Sequence, residues 1–160
     1  MSTSEHERWT GLTVRRPDDV RAEAGGPVPL MWQMQKLTEH NDRLMNRRLP
    51  ADFPYEVERG DAGDSLAALA LGTSIRRDIA MERASRVREA IELGATWGQV
   101  ATALDVTADE ARDLLRRWAD GQRKLWLGYE AEGVKPIGMD ADEHAAVLAL
   151  AADENGGAAA

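Results

Sequence analysis

The chain has 160 residues, which suffices for one compact domain with appendages but leaves little room for two full domains. Hydrophobic residues make up 43% and charged residues 30%, aromatic residues are scarce and cysteine is absent, which favours packed helices and excludes disulfides and thiolate metal sites. The formal net charge of −8 disfavours tight binding of nucleic acid by the chain as a whole.

Other sequence features narrow the functional class further. His6, His40 and His144 have no ligand-like spacing, so we expect no metal ion and no cofactor. No nucleophile elbow or glycine-rich phosphate loop is present, and we do not expect an enzyme. No apolar run approaches the length of a membrane span, and the first residues do not resemble a signal peptide, so we expect a cytoplasmic protein. Arginine supplies 17 of the 20 basic residues, which indicates a bacterium with a GC-rich genome.

Residues 1–27 are predicted to form a flexible N-terminal tail. They mix both charges, contain Pro17 and end in the breaker cluster 25–27. A short alternation of apolar and polar residues leaves open a strand that contains Trp9, Leu12 and Val14.

The segment 28–50 is predicted to be an amphipathic helix from Pro29 to Leu49, because proline is tolerated in a first turn and Pro50 stops the helix. Two rows of residues recur every seven positions: Leu30, Leu37 and Leu44 in one, Met34, Asn41 and Arg48 in the other. The rows fit either packing within the same domain or a paired coiled coil in a homodimer, and two heptads do not decide between them.

Residues 51–64 are predicted to be a connector, and residues 65–130 a helical domain. This domain starts with a short helix to Leu71, which we expect Gly72 and Thr73 to interrupt. A longer helix then runs to Leu93 and ends at Gly94. Its predicted buried stripe has helical spacing and consists of Ala80, Ala84, Val87 and Ile91.

Two capping boxes follow Gly94, and they are the most informative pattern in the sequence. Thr96 precedes Gln99 by three residues, and Thr107 precedes Glu110 by three, so each pair can satisfy two free backbone N–H groups at a helix start. The spacing leaves room for one short helix and a tight turn. Aspartate occupies the turn at position 105, where it can adopt the left-handed conformation. The residues expected to face inward are Val100, Ala101, Leu104, Val106, Ala111, Leu114 and Leu115.

This arrangement resembles the helix-turn-helix of bacterial repressors and sigma-like regulators, including the small three-helix modules common in actinobacterial chromosomes, plasmids and phages. The resemblance extends from Ala80 to about Asp120. It implies an all-α fold, with a helix-turn-helix three-helix core and additional N- and C-terminal helices. It further implies a nucleoid-associated transcriptional regulator that binds specific sequences of double-stranded DNA as a homodimer.

In the docking mode of these regulators the second helix enters the major groove. Transferred to this sequence, the positions that contact DNA are Thr96, Gln99, Thr107, Ala108, Asp109, Arg112, Arg116 and Arg117. Arg112 is the residue best suited to read guanine, whereas Arg116 and Arg117 reach the backbone. Thr96 and Gln99 present N–H groups to a phosphate. Residues 76–128 hold ten basic and nine acidic side chains, so most of the negative charge lies elsewhere.

Acidic residues beside this face support an alternative function. Asp109, Glu110 and Asp113 repel phosphates, although the first two also favour the start of a helix and the third can pair with Arg116 or Arg117. The alternative is an acidic protein-interaction adaptor that uses the same fold to bind a partner in the transcription machinery, such as a polymerase subunit.

Beyond Leu115 the apolar pattern continues, and the helix either passes Gly121 or breaks there. The aromatic stripe Trp118, Trp126 and Tyr129 is expected to form core or dimer contacts. Residues 131–160 are predicted to hold a loop, a last helix capped by Asp140 and a frayed tail.

Overall fold

The structure, a computed structural model, describes residues 4–22 and 26–153. Its α-helices are α1 Glu5–Gly11, α2 Leu30–Asn46, α3 Ala62–Glu92, α4 Trp97–Leu104, α5 Ala108–Ala131 and α6 Ala141–Ala152, with a short 3-10 turn at Pro17–Asp19. No strand occurs in these ranges, so the predicted all-α class is confirmed. Within them, no helix combines the length and apolarity needed to cross a membrane. The chain divides into two compact units, residues 1–80 and 81–160, each with its own hydrophobic core.

Residues 4–22 are folded and do not form a tail. Ser4 caps α1: its hydroxyl accepts the backbone N–H of Glu7 (3.2 Å), and the Glu7 carboxylate accepts the backbone N–H of Ser4 (2.7 Å). Trp9 and Val14 are buried in the core of the first unit. The prediction of a flexible tail is therefore wrong for residues 4–22, and Trp9 lies in a helix rather than a strand. Residues 1–3 and 23–25 of that prediction lie outside the described ranges.

The two buried side chains of α2, Gln33 and Lys36, are polar. Gln33 is 1% exposed, and its amide donates to the carbonyl oxygen of Val28 (3.0 Å) and to the Asp78 carboxylate (2.7 Å). The amide oxygen of Gln33 accepts the Ser74 hydroxyl (2.9 Å). Lys36 is also buried, and its ammonium group donates to two carbonyl oxygens at the end of α1. These hydrogen bonds compensate for the desolvation of both side chains.

The predicted heptad rows lie beside this polar side. Leu30 and Met34 are 39% and 50% exposed, and Asn41 is exposed as well. Leu37 and Leu44 are half-buried. Packing within the first unit therefore leaves much of the two heptad rows exposed, and a coiled-coil homodimer stays a prediction.

A half-buried carboxylate, that of Asp64, joins α2 to the start of α3. Asp64 Oδ1 lies 2.7 Å from His40 Nδ1 and accepts Arg43 Nε at 2.8 Å, while Asp64 Oδ2 accepts the backbone N–H of Asp61 at 2.9 Å. Burial alone raises the pKa of Asp64, but the hydrogen bonds from His40, Asp61 and Arg43 outweigh it and lower the pKa from 3.8 to about 2.

The lowered pKa of Asp64 predicts a dependence of stability on pH. Because the carboxylate ionises more readily in the folded chain, its contribution is complete above pH 3.8 and disappears as the pH falls through about 2. We expect Asp64→Asn to lower the free energy of unfolding by on the order of 1–2 kcal/mol at pH 6. Urea denaturation of both proteins should show this difference shrinking between pH 4 and pH 2. A difference that persists at pH 2 would refute the assignment.

Two glycines that the sequence suggested as helix breaks lie inside continuous helices. α3 passes through Gly72 over its 31 residues, so the predicted interruption there is wrong. α5 likewise continues past Gly121 to Ala131. A glycine costs a helix about 1 kcal/mol relative to alanine, which the packing of neighbouring turns easily offsets. In α3, for example, Leu71 is completely buried.

The core of the second unit gathers one face from each of its helices. Its buried members are Val87 and Ile91 of α3, Trp97 and Val100 of α4, Ala111, Leu115 and Ala119 of α5, Met139, and Val147 and Ala151 of α6. The predicted stripe of α3 is confirmed for Ala84, Val87 and Ile91, whereas Ala80 is exposed. Trp118 packs against this core. As predicted, Asp140 caps α6 by accepting the backbone N–H of Glu143 (2.8 Å).

Candidate functional site

The candidate site begins where α3 ends. Gly94 has a φ of 98°, a left-handed conformation that glycine adopts without strain. The N–H of Ala95 bonds to the carbonyl oxygen of Ala90 at 2.9 Å, which closes the last turn of α3. The chain then turns into α4 within four residues.

The start of α4 is fixed by the first predicted capping box. The Thr96 hydroxyl accepts the backbone N–H of Gln99 (3.2 Å), and the Gln99 side chain accepts the backbone N–H of Thr96 (2.9 Å). Both side chains are exposed. The next residue, Trp97, is only 2% exposed and belongs to the core of the second unit.

A left-handed residue joins α4 to α5. Asp105 has φ 54° and ψ 48°, as predicted for the turn. The N–H of Val106 bonds to the carbonyl oxygen of Ala101 at 3.0 Å and completes the turn. Ala101 and Ala111 are 7% and 0% exposed, and their small side chains allow the two helices to approach closely.

The second predicted capping box starts α5. The Thr107 hydroxyl accepts the backbone N–H of Glu110 (3.1 Å), and the Glu110 carboxylate accepts the backbone N–H of Thr107 (2.7 Å). The hydrogen bonds from the Thr107 backbone and hydroxyl hold the pKa of Glu110 below its ordinary value. Glu110 therefore stabilises the helix start as an anion.

The predicted contact residues differ in their exposure to solvent. Five are exposed along the start of α4 and the first turns of α5, namely Thr96, Gln99, Thr107, Asp109 and Arg117. Ala108 and Arg116 are half-buried. Arg112, the residue predicted to be best suited to read guanine, has a side chain that is only 14% exposed. The expectation that Arg112 points outward is therefore wrong for this conformation.

Arg112 contacts its own domain at Trp97 and at Asp109. Its guanidinium carbon lies 5.3 Å from the centre of the Trp97 ring, a cation–π geometry. Its Nη1 also lies 3.3 Å from Oδ1 of Asp109, one turn earlier in α5. The spacing of Asp109 and Arg112 is visible in the sequence, but the contact with Trp97 depends on how the two helices pack.

Arg116 and Arg117 differ in how firmly they are held. Arg116 pairs with Asp113 (2.8 Å) and donates to the carbonyl oxygen of Ala151 at the end of α6 (3.2 Å). Arg117 is exposed, and within residues 4–22 and 26–153 no acidic side chain pairs with it. Sequence reasoning missed the contact with α6, because no local pattern links positions 35 residues apart.

The electrostatics of the site are mixed. Asp109 is 93% exposed, and Asp113 and Asp120 are each 57% exposed on α5. Arg117 and Lys124 are the exposed basic side chains of the same helix. The second unit as a whole contains nine basic and fifteen acidic residues. A phosphate backbone would therefore meet a few basic side chains within an acidic surface.

Comparison of the sequence and structure with protein-family models, curated proteins and solved structures gives no significant match.

Proposed function

We propose that the end of α3, α4 and α5 form a helix-turn-helix that binds specific sequences of duplex DNA, and that the chain is a bacterial transcriptional regulator. The observation that carries the proposal is the geometry of α4 and α5: two helices, each started by a threonine capping box, joined by a tight turn with left-handed Asp105. Small residues at the crossing support it further. A homodimer would give the modest basic surface of one chain a second set of contacts.

The proposed docking places the first turns of α5 in the major groove and the start of α4 at the phosphate backbone. At the start of α4 the exposed Thr96 and Gln99 can contact a phosphate, and the positive end of the helix dipole favours the anion. Arg117 supplies a second phosphate contact from α5. Arg112 can fork onto guanine only after its side chain turns away from Trp97.

Arg117→Ala tests this docking. We expect it to weaken binding to all duplex sequences about equally and to reduce the slope of log affinity against log salt by about 1, because one phosphate contact is lost. Fluorescence anisotropy with labelled duplexes at two salt concentrations measures both quantities.

Arg86→Ala is the matched control. Arg86 is also an exposed arginine of the second unit, but it lies on α3 and pairs with Glu89 (2.7 Å). We expect its loss to leave affinity and salt slope unchanged. Equal losses in the two variants would indicate a general effect of charge and contradict the docking.

A second candidate function is favoured by the exposed acidic residues of α5. In this alternative, Asp109, Asp113 and Asp120 face a basic surface on a protein of the transcription machinery, and DNA is not the partner. It predicts no duplex binding in the same titration. It further predicts that Asp113→Ala abolishes binding to a polymerase subunit, whereas Arg112→Ala has no effect.

A further inference from the structure

We propose that Asp109 is a positioning residue, which holds Arg112 folded against Trp97 until a duplex displaces it. The inference rests on the proposed DNA contact of α5 and adds a way in which Asp109 regulates that contact. The arginine best suited to read a base is stored, rather than presented, in the free protein.

Two contacts of the guanidinium group define the stored geometry. The ring of Trp97 lies on one side at 5.3 Å, and the carboxylate of Asp109 lies at 3.3 Å. Trp97 is fixed because it belongs to the core at 2% exposure. Asp109 is fixed less firmly because it is 93% exposed, so a duplex can reach this contact from solvent and exchange it for another.

The exchange has a simple electrostatic basis. An exposed ion pair is worth little in water, so a phosphate or guanine acceptor can replace Asp109 at modest cost. Phosphates that approach α5 also repel Asp109, which weakens the pair at the moment when Arg112 is needed. Asp109 thus lowers the affinity for any duplex. A larger share of the binding free energy then comes from the contact that Arg112 makes with a sequence it can read.

Binding measurements test the proposal with a charge-matched control. Asp109→Asn should tighten binding to a preferred duplex about two- to five-fold, the range that corresponds to an exposed ion pair. Glu110→Gln removes the same charge in the same turn, but glutamine still accepts the N–H of Thr107. Among the described residues, no arginine pairs with Glu110. We expect Glu110→Gln to tighten binding clearly less than Asp109→Asn.

A double-mutant cycle separates the positioning of Arg112 by Asp109 from the electrostatic repulsion between the Asp109 carboxylate and the phosphates. Arg112→Met removes the guanidinium group but keeps an aliphatic cover over Trp97, which protects the fold. In this background Asp109→Asn should have no more effect than Glu110→Gln. If Asp109→Asn tightens binding equally with and without Arg112, the proposal is overturned. A change of preferred base without a gain in affinity would likewise overturn it, because Asp109 would then read the base itself.

A measurement on the free protein tests the role of Asp109 independently of DNA binding. In nitrogen-15 NMR spectra of the free protein, the side-chain Nε–H of Arg112 should exchange slowly with water. Asp109→Asn should accelerate this exchange, whereas Glu110→Gln should not. Unchanged exchange in Asp109→Asn would refute the storage of Arg112. Absence of duplex binding by the unaltered protein, with accelerated exchange in the variant, would refute only the proposed function.

Discussion

Trp97→Ala is expected to lower the free energy of unfolding of the second unit by about 3–5 kcal/mol, the usual loss when a buried aromatic side chain is removed from a core. Trp97 is 2% exposed and lies at the first position of α4, where it packs with residues of α3 and α5. Its removal also withdraws the surface that holds Arg112. Urea denaturation followed by circular dichroism measures the loss, and hydrogen exchange assigns it to α4 and α5.

Trp97→Phe is the control for this prediction. The indole Nε1 is buried and has no hydrogen-bond partner among the described residues, so phenylalanine removes an unsatisfied polar group as well as some volume. The two effects oppose each other, and we expect less than half of the loss caused by alanine. A loss as large as that of Trp97→Ala would contradict the assignment of the stabilisation to packing of the aromatic ring.

Gly138→Ala is the second substitution for which we expect a large effect. A Cβ atom at this position would clash with the carbonyl oxygen of Gln122 and lie 3.2 Å from the backbone nitrogen of Trp126. Gly138 also has a φ of 106°, which alanine adopts only with strain. The clash displaces Met139, whose N–H bonds to the same Gln122 carbonyl oxygen at 3.2 Å. We expect a loss of about 2–5 kcal/mol, from overpacking and backbone strain together.

Two other glycines separate the causes of this loss. Gly133 has a φ of 71°, but a Cβ atom added there would meet no other atom within 4 Å, so alanine should cost only the backbone strain, about 1–2 kcal/mol. Gly121 lies inside α5 with open space around it, so alanine should stabilise the helix by about 0.5–1 kcal/mol. Thermal unfolding should therefore rank the variants Gly121→Ala, Gly133→Ala and Gly138→Ala in decreasing stability. A value for Gly138→Ala no worse than that for Gly133→Ala would contradict the close contact with Gln122.

Local chemistry makes the capped helices predictable from the sequence. Thr96 and Thr107 fix helix starts through bonds that span three residues, and the turn at Asp105 follows from the few side chains that tolerate a left-handed backbone. The same rule applies at Ser4 and Glu7, although the surrounding charges and glycines suggest a tail there. The error at Gly72 has the opposite cause, since the packing of a long helix outweighs the local preference of glycine.

The parts of the site that were not predictable depend on contacts distant in sequence. Arg112 lies against Trp97 because α4 and α5 cross where both side chains meet. Arg116 reaches Ala151 because α6 returns to α5 after a loop. Helical periodicity assigns both arginines to an outer face, but it carries no information on which neighbouring element covers that face.

Selection of duplexes from a random-sequence pool by the intact chain is the most direct measurement of whether α4 and α5 form a DNA-reading unit. We predict that successive rounds enrich a defined sequence, and that affinity for it falls as salt is raised. A pool that remains random, together with no detectable duplex binding even at low salt, would contradict DNA recognition and leave the acidic face of α5 to a protein partner.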